Sequence, residues 1–109
     1  MPMNDALTST LDEVQQLCDG LLAETDGAVT AAQRISLHVA LDCVRRLQDA
    51  LAASSPTARL QLRTLAIGIY SGAEMLIRGR SGPLNSRQLQ KMSRVRHLAN
   101  TLRQAIDDQ

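Results

Sequence analysis

The chain has 109 residues, 44% of them hydrophobic, with no Trp, no Phe and a single Tyr, Tyr70. This bounds it to one domain with an aliphatic core and leaves no aromatic platform for stacking on bases. No run approaches the roughly 20 apolar residues of a membrane span, and the Met-Pro-Met-Asn-Asp start lacks the basic and apolar regions of a secretory signal, so a cytoplasmic protein with no membrane partner is expected. The net charge of +1 hides a division: residues 1–56 hold eight acids and three bases, whereas residues 57–109 hold three acids and nine bases.

A first helix is predicted over about residues 4–24, capped by Asn4 or Asp5. Leu7, Leu11, Val14, Cys18 and Leu21 recur at 4-3-4-3 spacing, the stripe of a helix in a bundle. Leu17 and Leu22 widen it, and Asp5, Asp12, Asp19 and Asp26 repeat every seven residues along an outer edge. Asp26-Gly27 reads as a turn. A second helix, over about 30–53, is apolar on more than one side (Ile35, Leu37, Val39, Leu41, Cys43, Val44, Leu47, Leu51), as befits a central helix or one that covers a partner.

Ser54-Ser55-Pro56 marks the next boundary, with Ser55 as a cap and Pro56 as a first helical residue. The third helix is expected over 56–78, stopped by Gly79. Leu62, Leu65, Ile69, Ala73 and Leu76 line its inner face, Gly68 and Gly72 lie four apart beside it, and Leu60, Ile67 and Met75 fall outside it. After the loop Gly79–Asn85, the fourth helix (86–107) opens on Asn85 with Gln88 three residues on, the pattern of a capping box, and Leu84 and Leu89 hold the staple positions. Leu89, Met92, Val95, Ala99, Leu102 and Ile106 form its apolar stripe, flanked by Arg87, Lys91 and Arg94 on one side and Arg96 and Arg103 on the other. Four helices of this length with short connections predict an all-α, antiparallel four-helix bundle over residues 1–109, with a dimer expected.

Chemistry-bearing residues are sparse. His38 is followed by Val-Ala-Leu-Asp42, whereas histidine phosphotransfer domains, bundles of this size, place a Lys and a Gly after the phosphorylated His; size and one His are all that is shared. His97 reads as an outer-face residue. The Asp edge is a solvated face rather than a pair of catalytic carboxylates, and Gly79-Arg-Ser-Gly-Pro83 is a helix stop and turn, not a phosphate loop. Cys18 and Cys43 read as buried thiols on apolar faces, with no spacing that fits a metal. No enzyme, cofactor or metal is therefore expected.

Two surface features remain. Leu37, Leu41, Leu60, Ile67, Tyr70 and Met75 exceed what one inward stripe per helix requires and are the candidate protein-binding or dimer residues. Arg80, Arg87, Lys91 and Arg94 are the bases expected to remain as a patch once the acidic and basic halves pack together. Arg outnumbers Lys eleven to one, a bias that suits phosphate and carboxylate forks and also follows from a GC-rich, bacterial-looking genome. The reading is a non-catalytic regulatory or adaptor protein that binds another protein, for example an anti-activator that sequesters a transcription regulator. The alternatives are a nucleic-acid binder using the fourth helix and, with less behind it, a phosphotransfer-like domain built on His38.

Overall fold

Leu7, Leu11, Val14, Cys18 and Leu21, the five residues at 4-3-4-3 spacing, are all buried on the inner side of the first helix, α1 (Pro2–Leu22), in a computed structural model of the chain. The structure describes residues 2–24, 28–53 and 59–108, with side chains from Asp5 onward. The turn at Asp26-Gly27, the start at Ser55-Pro56 and the side chain of Asn4 lie outside the described residues. Helix α1 begins two residues earlier than its sequence suggests, which puts Asp5 in the first turn, where its charge faces the positive end of the helix dipole, rather than at a cap.

Three further helices follow: α2 (Ala31–Ala52), α3 (Arg59–Ile77) and α4 (Ser86–Asp107). Among the described residues α1 packs on α2 and α4, and α3 packs on α2 and α4, so the four form a closed ring around one core. Glu13 of α1 meets Arg94 of α4, and Glu24 meets Arg87; Arg63 of α3 meets Asp107, and Glu74 meets Arg96.

The inward stripe of α2 differs from the expectation. It consists of Gln33, Leu37, Ala40, Val44 and Leu47, so Ile35 and Val39 face outward at 66% and 53% exposure. The reason is the close approach of α3. Ala40 lies under Gly72, where an added Cβ would stand 3.5 Å from the Ala40 Cβ, and Cys43 lies under Gly68, where an added Cβ would stand only 2.7 Å from Sγ. Small residues on both helices set the rotation of α2, and large apolar residues on its other sides do not. In α3 the deep position falls to Ala66, with Leu65 half-buried. In α4 Gln88 and Leu98 are buried while Leu89 is 39% exposed.

One end of the ring is fastened by two glutamines. Thr30 caps α2: its Oγ1 accepts from the Gln33 N–H at 3.1 Å, and Gln33 Oε1 accepts from the Thr30 N–H at 2.8 Å. The same Gln33 amide donates through Nε2 to the carbonyls of Gly82 and Pro83, at 3.0 and 3.1 Å, strapping the α3–α4 loop onto α2. Asn85 and Gln88 repeat the arrangement on α4, with bonds of 2.8 and 2.9 Å, and Gln88 Nε2 donates to Glu24 at 3.2 Å. Helix α3 stops as expected at Gly79, whose φ is +75°. The Arg80 N–H reaches the Met75 carbonyl and the Gly79 N–H reaches Leu76, the paired bonds of a Schellman ending that a glycine in the left-handed region permits.

Candidate interaction surface

Helices α2 and α3 carry the surface. Six large apolar residues are prominently exposed among the described residues: Ile35, Val39, Leu60, Ile67, Met75 and Leu89. Five of the six belong to these two neighbouring helices. On α3, Leu60, Thr64, Ile67, Ser71 and Met75 are all exposed and recur at three- or four-residue intervals, which puts them on one outward stripe. On α2, Ile35 and Val39 lie on the outward side nearer α3, because Ser36, Ala40 and Cys43 face that helix. Towards the other end, Arg46 and Ala50 of α2 and Leu60, Gln61, Thr64 and Leu65 of α3 line an open hollow. Near Met75, a second shallow depression is bounded by Tyr70, Glu74, Arg78 and Arg80.

The residues expected at an interface therefore separate. Leu60, Ile67 and Met75 are on the outward face. Leu37 is 1% exposed and belongs to the core, since it is one of the residues brought inward by the Ala40 contact. Leu41 and Tyr70 are half-buried against the core, and the Tyr70 hydroxyl turns to Glu74 at 3.4 Å. Ile35 and Val39 complete the face; in the sequence they stand among the apolar residues of α2 without being separable from the inward ones. The available signal was the 4-3-4-3 run Gln33, Leu37, Ala40, Val44, Leu47, which is easily overlooked because it opens on a polar residue.

The expected basic patch is largely neutralised. Arg94 forms two hydrogen bonds with Glu13, at 2.7 and 3.2 Å. These bonds, opposed by desolvation and helped to a smaller degree by the guanidinium charge, hold the Glu13 carboxyl below its ordinary range. Arg87 and Lys91 both reach Glu24, at 3.4 and 3.6 Å. The Glu24 side chain is 9% exposed, and its Oε1 lies by the Lys91 ammonium with no hydrogen bond among the described residues. Three of the four bases thus complement the acids of α1 and its C-terminal end, which are the nearest charges once α1 and α4 pack together. Arg80 is the member of the four with no acidic partner among the described residues; Arg34 and Arg45 share that condition.

The remaining candidates are dispersed. Asp5, Asp12 and Asp19 are exposed along one side of α1. His38 is exposed on α2, one turn before Asp42, which pairs with Arg46 at 3.0 Å. His97 is exposed on α4 beside Ser93, Arg96 and Asn100. No group of three or more His, Cys, Asp or Glu side chains converges on a point among the described residues, and no helix there is long and apolar enough to cross a membrane. Both cysteines are free. Burial, with the charge of Asp19 beside it, pushes the Cys18 thiol up to about 12. The half-buried Cys43 is raised as well, by burial first and then by Asp42, with Arg46 opposing. No family model matches the chain, and neither the curated proteins nor the solved structures contain a match to it.

Proposed function

We propose that the chain is a small non-catalytic regulatory or adaptor protein, an antiparallel four-helix bundle that acts by protein–protein binding through the outward face of α2 and α3. Sequestering a transcription regulator, in the manner of an anti-activator, is one role of this kind, and pairing with a second copy of the chain belongs to the same reading. The observation that carries it is the confinement of five of the six prominently exposed large apolar residues to two adjacent helices. Apolar area gathered on one face gains free energy when covered, whereas the same residues scattered singly would need no partner. The hollow between Ala50 and Leu60 offers a seat for a side chain of a docked helix, and Arg46, Arg78 and Arg80 stand at the rim, where charge sets orientation and encounter rate more than affinity. The two free cysteines suit a cytoplasmic setting, and the mechanism calls for no cofactor.

Nucleic-acid binding by α4 has less support, because Arg87, Lys91 and Arg94 would have to give up Glu24 and Glu13 to meet phosphates. The test is a triple variant, Leu60→Ser, Ile67→Ser and Met75→Ser, which alters exposed positions only. It should keep its helicity and lose its cross-linked protein partners, its own second copy included. Retention of all of them would refute the reading. A salt-sensitive shift of nucleic acid, abolished by Arg87→Ala, Lys91→Ala and Arg94→Ala together, would favour the alternative.

A further inference from the structure

The outward stripe of α3 reads nearly the same in both directions. Leu60 lies seven residues before Ile67, and Met75 lies seven after Gly68; Thr64 lies three before Ile67, and Ser71 three after Gly68. From either end the order is a long apolar side chain, a hydroxyl, the centre, a hydroxyl, and a long apolar side chain. We propose that this face pairs with a second copy of the chain about a two-fold axis that crosses α3 between Ile67 and Gly68, so that α3 lies antiparallel on α3 of the other copy. The inference rests on the protein-binding reading above and names the occupant of the face.

A two-fold interface is self-complementary: whatever lies a given distance to one side of the axis meets what lies the same distance to the other side. Here Leu60 of each copy meets Met75 of the other, Thr64 meets Ser71, and Ile67 packs beside its own equivalent. The stripe from Leu60 to Met75 is about 22 Å long at 1.5 Å per residue, enough for three apolar layers. Thr64 suits burial there, since its Oγ1 already donates to the Leu60 carbonyl at 2.8 Å.

Charge on α2 agrees with the same axis. Gly68 lies against Cys43, so the axis passes α2 close to that residue, with Asp42 on one side of it and Arg46 on the other. Within one copy these two exposed side chains pair at 3.0 Å. Across the axis each Asp42 falls on the same side as the other copy's Arg46, about two residues away along the helix, so the long Arg46 side chain of each copy is within reach of the other's Asp42. The apolar end of the face, Ile35, Val39 and Met75, comes opposite the hollow bounded by Ala50, Leu60 and Leu65. A parallel pairing would instead set Leu60 against Leu60 and Met75 against Met75.

The test combines mass with position-specific cross-linking. In a Cys43→Ala background, with Cys18 shielded in the core, light scattering should give the mass of two chains. Mild oxidation should link Ile67→Cys to itself and should link a mixture of Leu60→Cys and Met75→Cys, while neither of those two links alone. Ile67→Arg places two like charges on the axis and should give the mass of one chain with helicity intact. A single-chain mass for the native protein at every concentration up to its solubility overturns the proposal, as does an Ile67→Arg variant that stays dimeric. Self-linking by Leu60→Cys or Met75→Cys alone overturns the antiparallel seam while leaving the protein-binding reading in place. That reading fails separately, through the triple serine variant.

Discussion

Gly68 and Gly72 lie one turn apart on the same side of α3, and alanine should have opposite effects at the two. A glycine inside a helix costs about 1 kcal/mol relative to alanine, so Gly72→Ala should recover that amount: its new Cβ would stand 3.5 Å from the Ala40 Cβ and 3.7 Å from the Ser36 carbonyl oxygen, ordinary contact distances. In a chain this size a gain of about 1 kcal/mol corresponds to a rise in melting temperature of roughly 4–8 °C. At Gly68 the new Cβ would stand 2.7 Å from the Cys43 Sγ, so the thiol must leave its rotamer or the helices must part. Overpacking of this kind costs about 1–3 kcal/mol, which cancels or outweighs the helical gain. The Cys43 Cβ, by contrast, lies 3.8 Å away, so in a Cys43→Ala background Gly68→Ala should again stabilise by about 1 kcal/mol. Urea unfolding of the four members of this cycle, followed by circular dichroism with unchanged m-values, measures the coupling directly. If Gly68→Ala stabilises equally with and without the Cys43 thiol, or if Gly72→Ala destabilises, the contact does not set the α2–α3 spacing.

Removing the Gln33 side chain should cost about 2–4 kcal/mol, because a cap worth about 1 kcal/mol is lost and two loop carbonyls lose their donor; Thr30→Ala should cost less, and chemical unfolding of both variants gives the ranking. At mildly alkaline pH a disulfide thiol reagent should label Cys43 while sparing Cys18 in the native protein, and should label both after denaturation, since Cys18 is fully buried with its thiol pushed up to about 12. The lowered Glu13 value means that the Glu13–Arg94 pair adds stability above the ordinary carboxylate range and loses it as the pH falls through the lowered value. Arg94→Ala should therefore return Glu13 towards its ordinary titration by NMR, and the stability difference from the native chain should close in acid; a difference that persists there would assign the effect of Arg94 to packing.

The inward stripe of α1 was legible, though its ends were not, because its apolar residues occupy one stripe and nothing else competes for the interior. The start of α4 was legible for a local reason: Asn85 and Gln88 bond within four residues of each other, so sequence spacing is already geometry. Helix α2 was not. Ile35, Val39 and Leu37 are chemically equivalent as hydrophobes, and only the small residues facing Gly68 and Gly72 decide which of them turns inward. That information resides in the partner helix. The surface follows the same rule: Leu60, Ile67 and Met75 separate from the α3 stripe by spacing alone, whereas spacing within α2 does not separate the outward Ile35 and Val39 from the inward Leu37. The charges were legible as halves but not as pairs, since the match of Arg87 and Lys91 with Glu24 depends on how far α1 slides along α4.

Each of the two capping glutamines uses one amide for two purposes. The oxygen of Gln33 completes the first turn of α2 while its nitrogen holds the 82–83 carbonyls, and Gln88 joins the first turn of α4 to Glu24 in the same way. Fraying of either helix start therefore releases a distant segment, and lifting of that segment removes support from the helix start. Helix initiation and loop closure at this end become one cooperative event, and the amides around Gln33 and Gln88 should exchange their hydrogens as a single unit rather than as independently fraying ends.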